Sequence, residues 1–342
     1  MVFHKEKIKK ILIIKFGGIG DVLLSTPVLP NLREFFPDAI INFLTYQNCI
    51  DAVKDNPYIN RALSFKLGDD TSYCFLKNIK KQKYDLIIDL FGNPRTAFAT
   101  FYSFAKYRVG FKFRHRRYAY NIKVDGRGGE VHNVEFNLDA IRKINCPVNS
   151  KKLFIATNNY HEEFADIFIK NTGLNKSPIG IVISGGWETK KYKTDDYKIL
   201  IKKILEKYDA EILLMWGIQP EKEQCEIIKK DNAERIFVTP ECDIKYLSAI
   251  MKKCKFVIGN DSGLIHLAVA SDVPVLGIYG PTNPLLQGPF GENNITVVNE
   301  KIDCLNCNLL ECPIGNICMT ELSKDVIMEK IEELISKNKI EI

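Results

Sequence analysis

Short apolar runs closed by glycine or polar turns, several of them followed by residues at helical spacing, recur through both halves of this chain. In the first half the runs are residues 11–16 (ILIIKF), 40–45 (IINFLT), 84–90 (YDLIIDL) and 108–111 (RVGF). In the second half they are 179–184 (IGIVIS), 211–216 (EILLMW), 255–259 (KFVIG) and 274–279 (PVLGIY). Runs of this length read as parallel strands buried on both faces. Helical spacing follows at 21–36, 195–207, 221–230, 244–252 and 262–270. Pro27 fits a first helical turn, whereas Pro30 demands a kink or a restart. Alternation of this kind gives parallel sheets covered by helices on both faces. Two such sets predict an α/β protein of two doubly wound domains. The polar stretch 171–177 (NTGLNKS) suggests domains of 1–172 and 173–342. Ligands of such sheets bind at the carboxyl ends of the strands, so two facing domains would put a site in the cleft between them.

Composition excludes several classes. A chain of 342 residues is too long for one ordinary core and suits two domains of about 150–170 residues. Apolar residues at 46% and charged residues at 26% are ordinary globular values. The first apolar run contains Lys15 and is followed by Asp21, too short and polar for a membrane span of about 20 residues. It also lies deep and ends in a glycine turn, unlike a secretory signal, so a cytoplasmic protein is expected. The net charge of +6 is mild, and no helix-turn-helix or zinc-finger spacing points to nucleic acid. That charge agrees with an anionic substrate or membrane surface. Residues 106–117 (KYRVGFKFRHRR) mix cations with aromatic rings. They read as a strand and a solvated basic loop, or as a contact through Arg114, Arg116 and Arg117 for a phosphorylated lipid or sugar.

Three glycine turns carry the candidate chemistry. Lys15-Phe16-Gly17-Gly18-Ile19-Gly20-Asp21 follows a strand and opens a helix. Glycines there permit a sharp turn and offer amides to an anion, with Gly18 and Gly20 as candidate contacts. A dinucleotide fingerprint is disfavoured: Leu23 stands at the third glycine position and no acid closes the second strand. Asp21 is either a helix cap or a carboxylate base. In Gly259-Asn260-Asp261-Ser262-Gly263-Leu264-Ile265-His266, Asp261 and Ser262 can cap a helix whose free amides meet a diphosphate, with His266 one turn in. In Gly185-Gly186-Trp187-Glu188-Thr189-Lys190-Lys191, either lysine could hold a phosphate as a point charge. Glu221, following Trp216-Gly217, could bind ribose hydroxyls or favour its helix N-terminus. No D-x-D occurs, so lysine and amides rather than a divalent metal would neutralise a diphosphate, and no cofactor is required.

Ten cysteines remain. Cys49, Cys74, Cys146, Cys225, Cys242 and Cys254 are scattered and read as buried small apolar residues. Cys304, Cys307, Cys312 and Cys318 form C-x2-C-x4-C-x5-C. They could hold a structural zinc ion in a tetrahedral thiolate site, or stand as a reduced cluster, since only one C-x-x-C is present.

Residues 17–45 and 259–291 resemble the ADP-heptose:lipopolysaccharide heptosyltransferases of glycosyltransferase family nine, above all in the spacing from DSG-x-x-H to YGPT and GPFG. The resemblance runs over nearly the whole chain. It implies a GT-B fold of two facing Rossmann-like domains, the first binding the acceptor and the second the nucleotide sugar. It implies Asp21 as catalytic base, Lys190 on the donor phosphates, and Asp261, Ser262, Gly263 and His266 in the donor segment. Glu221 would be the nucleoside-binding glutamate. It further implies an inverting transfer of heptose from ADP-heptose to a lipid-linked oligosaccharide, by a protein peripheral to the inner membrane. Two features depart from the usual pattern: KKYK at the lysine loop, where K-x-W-P is frequent, and the cysteine tail. A different nucleotide sugar and a nucleotide-sugar epimerase are the alternatives, the latter having no need of the basic aromatic stretch.

Overall fold

The computed structural model describes residues 3–66, 72–113 and 115–342. The chain divides into two compact units at Ala156/Thr157. The first unit runs β1 (Lys10–Ile14), α1 (Ile19–Leu23), α2 (Val28–Phe35), β2 (Ile40–Tyr46), β3 (Arg61–Phe65), α3 (Ser72–Lys81), β4 (Leu86–Asp89), α4 (Pro94–Tyr102), β5 (Tyr107–Phe111), β6 (Ile122–Val124) and α5 (Asn133–Arg142). Its sheet has the order β3-β2-β1-β4-β5-β6, with every pair parallel. Ile11, Leu12, Ile13 and Ile14 of the central β1 are fully buried. Helices on both faces of a parallel sheet leave such a strand no wet side. The proline expectation is refined: the restart falls at Pro27, which precedes α2 at φ −59°. Pro30 then sits in the first turn, where its missing N–H costs nothing.

The second unit begins with α6 (Asn159–Thr172) and continues through β7 (Ile179–Val182), α7 (Thr194–Lys207), β8 (Ile212–Met215), α8 (Gln219–Lys229), β9 (Ile236–Val238), α9 (Ile244–Met251), β10 (Phe256–Asn260), α10 (Gly263–Ala270), β11 (Val275–Ile278), α11 (Pro284–Gln287), β12 (Ile295–Val297), α12 (Ile317–Thr320) and α13 (Lys324–Asn338). The sheet order is β12-β11-β10-β7-β8-β9, again all parallel. Counted from its own first strand, this is the same order as in the first unit. Both are the doubly wound, dinucleotide-fold arrangement.

The seam expected after residue 172 lies earlier. The stretch 171–177 is a helix ending: Gly173 caps α6 at φ 78°, a left-handed turn that suits glycine. α6 belongs with the second unit. His161 and Phe164 set their rings 4.6 and 4.8 Å from Tyr246 of α9, and Glu162 pairs with Lys252 at 2.7 Å. The carboxy-terminal helix α13 also packs back, with Ile327, Ile331 and Leu334 fully buried in the second core.

Ile331→Ala should destabilise the second unit by about 2–5 kcal/mol, because a fully buried branched side chain leaves a cavity the core fills only in part. Chemical denaturation followed by tryptophan fluorescence measures this. A loss under about 0.5 kcal/mol, the size of an ordinary surface substitution, would show that α13 is not part of that core.

Candidate functional site

A doubly wound sheet offers its ligand site where the strand order reverses, outside the carboxyl ends of the two strands at that point. In the second unit these are β7 and β10, adjacent in the sheet. β7 leads into residues 183–193 and β10 into Asp261-Ser262-Gly263. Asn260, the last residue of β10, ties the two loops together. Its Oδ1 accepts from Tyr192 N at 3.2 Å and from the Tyr197 hydroxyl at 3.0 Å. Its Nδ2 donates to the carbonyls of Ile183 and Ser184.

That clamp delivers Lys190 to Asp261. The Lys190 Nζ lies 2.6 Å from Asp261 Oδ2, with both side chains buried, and Thr282 Oγ1 donates to the same oxygen at 2.7 Å. The Lys190 ammonium also stands 3.7 Å from the centre of the Trp187 ring. Lys191 points elsewhere, pairing with Glu188 at 2.9 Å, so the structure separates the two candidate lysines. Asp261 and Ser262 do not cap α10 through their side chains as expected. Asp261 is engaged by Lys190 and Thr282, and Ser262 occupies the N-cap position without a side-chain cap bond. Ser262 Oγ and Trp187 Nε1 are buried without a hydrogen-bond partner among the described residues. Two such buried polar atoms beside a buried ion pair mark a place built to receive a polar group. Gly263 opens α10 and His266 lies one turn in, buried. The buried Glu221 folds back on its own helix entry, where its Oε2 accepts from Gly217 N at 2.8 Å and Ile218 N at 3.2 Å. Of its two sequence readings, the helix-terminus role is the one seen. Asn260 and Thr282 lie within glycine-turn motifs, but their roles are contacts made across loops, which a local sequence pattern does not disclose.

In the first unit the strands at the reversal are β1 and β4. After β1 the chain turns at Gly17, φ 119°, and starts α1 at Gly18. A side chain at Gly17 would strike the Asp21 carboxylate, whose Oδ2 lies 2.6 Å from where a Cβ would sit. The Gly18 amide, expected to face an anion, donates instead to Asp21 Oδ2 at 3.0 Å, and Gly20 is buried. The turn thus aims the exposed Asp21 carboxylate rather than offering amides. Beneath it lies the buried Lys15, whose Nζ donates to Leu90 O and Asn137 Oδ1. Burial pulls the Lys15 pKa down from its ordinary value, opposed by the negative charges of Asp21 and Asp89. Asp89 at the end of β4 is fully buried and accepts from Gly92 N and the Tyr120 hydroxyl; burial raises its pKa. After β5, Arg116 stacks 5.1 Å from the Phe113 ring and Arg117 is exposed. Arg114 lies outside the described residues.

The four-cysteine segment leans on the second unit's site loops. Asn306 N donates to Gly280 O, Asn308 N to Pro281 O, and the Thr189 hydroxyl to Leu309 O at 2.7 Å. Cys304 and Cys307 are exposed, Cys312 is half-buried and Cys318 buried. Burial, with the nearby Cys304, Cys307 and Cys312, pushes the Cys318 thiol up to about 11. Asn316 N donates to Cys312 Sγ at 3.2 Å. The donor type suits zinc, but among the described residues no three His, Cys, Asp or Glu side chains are gathered to hold a metal ion. Two of the scattered cysteines depart from expectation: Cys74 is exposed and Cys242 half-buried.

A family model described as glycosyltransferase family 9 (heptosyltransferase) matches residues 73–318. The chain is 25% identical over 345 residues to lipopolysaccharide heptosyltransferase 1 of Campylobacter coli, covering 95% of this chain and 98% of that one. Among solved structures it is similar to a family 9 glycosyl transferase from Veillonella parvula, with a TM-score of 0.82 at 19% identity over 96% of this chain and 97% of the other. It is also similar to the ADP-heptose lipopolysaccharide heptosyltransferase II of E. coli, with a TM-score of 0.76 at 17% identity over 96% and 99%. The paired doubly wound units are thus the GT-B fold that the sequence led one to expect.

Removing the carboxylate with Asp261→Ala should leave a buried, unpaired ammonium and cost about 3–5 kcal/mol, while Lys190→Met added to it should recover much of that loss. Thermal denaturation of the two variants checks this. Equal losses in both would mean that the pair is not electrostatically coupled.

Proposed function

The chain belongs to glycosyltransferase family 9, and from that premise we propose that it moves a heptose from ADP-heptose to an inner-core lipopolysaccharide acceptor, inverting the anomeric carbon and using no divalent metal. The observation that carries the reading is the buried Lys190–Asp261 pair at the carboxyl ends of β7 and β10, beside the amino terminus of α10. A family of glycosyltransferases sets the epimerase alternative aside.

Donor binding would fall to the second unit. The first amides of a helix lack partners within it and favour an anion. A diphosphate at Ser262 and Gly263 would also give the Ser262 hydroxyl an acceptor. Asp261 cannot itself attract a phosphate. Its part is to hold Lys190 in place, so that the ammonium can turn to the phosphates without a search. His266 and Glu221 would line the nucleoside end, Glu221 by bracing the Gly217 turn. The catalytic base comes from the first unit. An acceptor hydroxyl oxygen attacks the anomeric carbon and gives its proton to the Asp21 carboxylate. The bond from that carbon to the diphosphate oxygen breaks, and ADP leaves with the electron pair. Lys190 and the α10 amides stabilise the charge growing on the diphosphate, each well-placed donor being worth about 3–4 kcal/mol. Arg116 and Arg117, with Arg114, would meet phosphate on the acceptor. Among the described residues no helix is long and apolar enough to cross a membrane. The protein would meet its lipid-linked acceptor as a cytoplasmic, peripheral visitor to the inner membrane.

Asp21→Asn should lower the rate of ADP release about 10²–10⁴-fold, the usual worth of a general base, while ADP-heptose with chelator still raises the melting temperature by mass action. Retained turnover removes Asp21 from this role. Stabilisation by UDP or GDP sugars alone overturns the donor.

We propose, on the donor type of four cysteines crowded into residues 304–318, that Cys304, Cys307, Cys312 and Cys318 take up a structural zinc ion that draws the thiols together on binding. Elemental analysis of protein purified without chelator should find about one zinc per chain. Its absence, with iron also absent, removes the idea.

A further inference from the structure

Four exposed or half-exposed rings on α4 and just beyond it are not used by the fold. The helix buries Thr96, Ala97, Ala99 and Thr100, and turns Phe98 and Phe101 outward at 45% exposure each. Phe104 follows at 66% exposure. Its backbone is left-handed, φ 57°, a conformation that ends helices cheaply at glycine and at a cost with a large side chain. The rings are not scattered. Tyr102 lies 6.2 Å from Phe98 and 6.0 Å from Phe104, and Phe101 lies 5.7 Å from Tyr118.

Cations border the rings. Lys80 of α3 sets its ammonium 4.6 Å from the Phe104 ring and 5.1 Å from the Tyr102 ring. Lys77 and Lys81 of α3, Lys106 just before β5 and Arg117 beside Tyr118 are exposed. From residue 90 to residue 124 the chain has eight Lys or Arg and no Asp or Glu. Even with Asp125, which pairs with Lys112, residues 90–125 carry +7, more than the +6 of the entire chain. α3, residues 72–81, adds three lysines and again no acid.

We propose that this aromatic and basic face is where the protein docks on an anionic lipid surface, with Phe98, Phe101 and Phe104 entering the headgroup layer and Lys80 and Lys106 pairing with lipid phosphates. The proposal rests on the reading of a lipid-linked acceptor and names the surface that brings the protein to it. Charge complementarity selects the occupant. Phenylalanine rings bordered by lysines bury at the boundary between headgroups and acyl chains, and the lysines lay their stems along such rings while their heads reach anionic phosphates. A face so rich in cations does not suit a second copy of itself, because a two-fold contact would set like charges against each other.

The test is co-sedimentation of the full chain with vesicles of phosphatidylethanolamine and phosphatidylglycerol, at low and high salt, against vesicles of phosphatidylcholine alone. Binding should require the anionic lipid and weaken with salt. The triple variant Phe98→Ser, Phe101→Ser, Phe104→Gly and the pair Lys80→Glu, Lys106→Glu should each bind at least roughly tenfold more weakly. Phe104→Gly alone should raise the melting temperature by relieving the left-handed strain while lowering vesicle binding, opposite signs that a packing role would not produce. Transfer to a lipid-free acceptor fragment, measured alongside, should be unchanged in all three. If wild type docks through the patch but transfers no heptose, docking stands and the assigned reaction fails. If the variants sediment with anionic vesicles like wild type, or the patch instead drives self-association seen by analytical ultracentrifugation, docking is overturned.

Discussion

A parallel sheet covered by helices leaves its central strands no contact with water, and every polar function must therefore be met at the strand ends. β1 shows the constraint at its strictest: four consecutive residues are fully buried and apolar, and the first charges appear with Lys15 and Asp21 as the strand gives way to its loop. The second unit repeats the pattern, with β10 buried throughout and Asp261 directly after it. The strand order reverses between β1 and β4 and between β7 and β10. Neighbouring loops part at those points and leave room. Both the carboxylate turn and the lysine–aspartate pair stand there for that reason.

The same constraint explains what the amino-acid sequence discloses. The eight strands read from apolar runs are the inner four of each sheet. The four that went unread, β3, β6, β9 and β12, are the edges of the two sheets. β3 has one buried residue in five, at Phe65, and β9 one in three, at Ile236. An edge strand has one neighbour and partial cover, so it needs no continuous apolar run to form. The seam is hard to place from the sequence for a related reason. Polar, turn-forming residues mark a helix ending as readily as a linker, and only the packing of α6 against α9 tells which of the two 171–177 is.

The geometry of the candidate site is legible where one local motif holds both the turn and the side chain, as with Gly17 and Asp21. It is less so where the role is a contact across loops. Lys190 and Lys191 are equivalent as letters, and what parts them is the reach of one to Asp261. Asn260 and Thr282 do their work through partners far along the chain, Tyr197 and Asp261. Ser262 and Asp261 looked like caps because their residue types cap helices in isolation. A buried ammonium nearby outcompetes that bond for Asp261, since a charged partner is the stronger one.

The reversed strand order also sets a schedule for synthesis. The first strand of each unit lies at the middle of its sheet, and one of its two neighbours is made much later: Ile11 pairs with Leu86, and Ile179 with Phe256. Each nascent unit must therefore carry a largely apolar strand with one edge unpaired while about 75 further residues are added. Parallel pairing over such separations is slow to form and exposed to aggregation meanwhile. The chain meets that hazard twice, once for each sheet, and the ribosome-bound first unit meets it before any of the second exists.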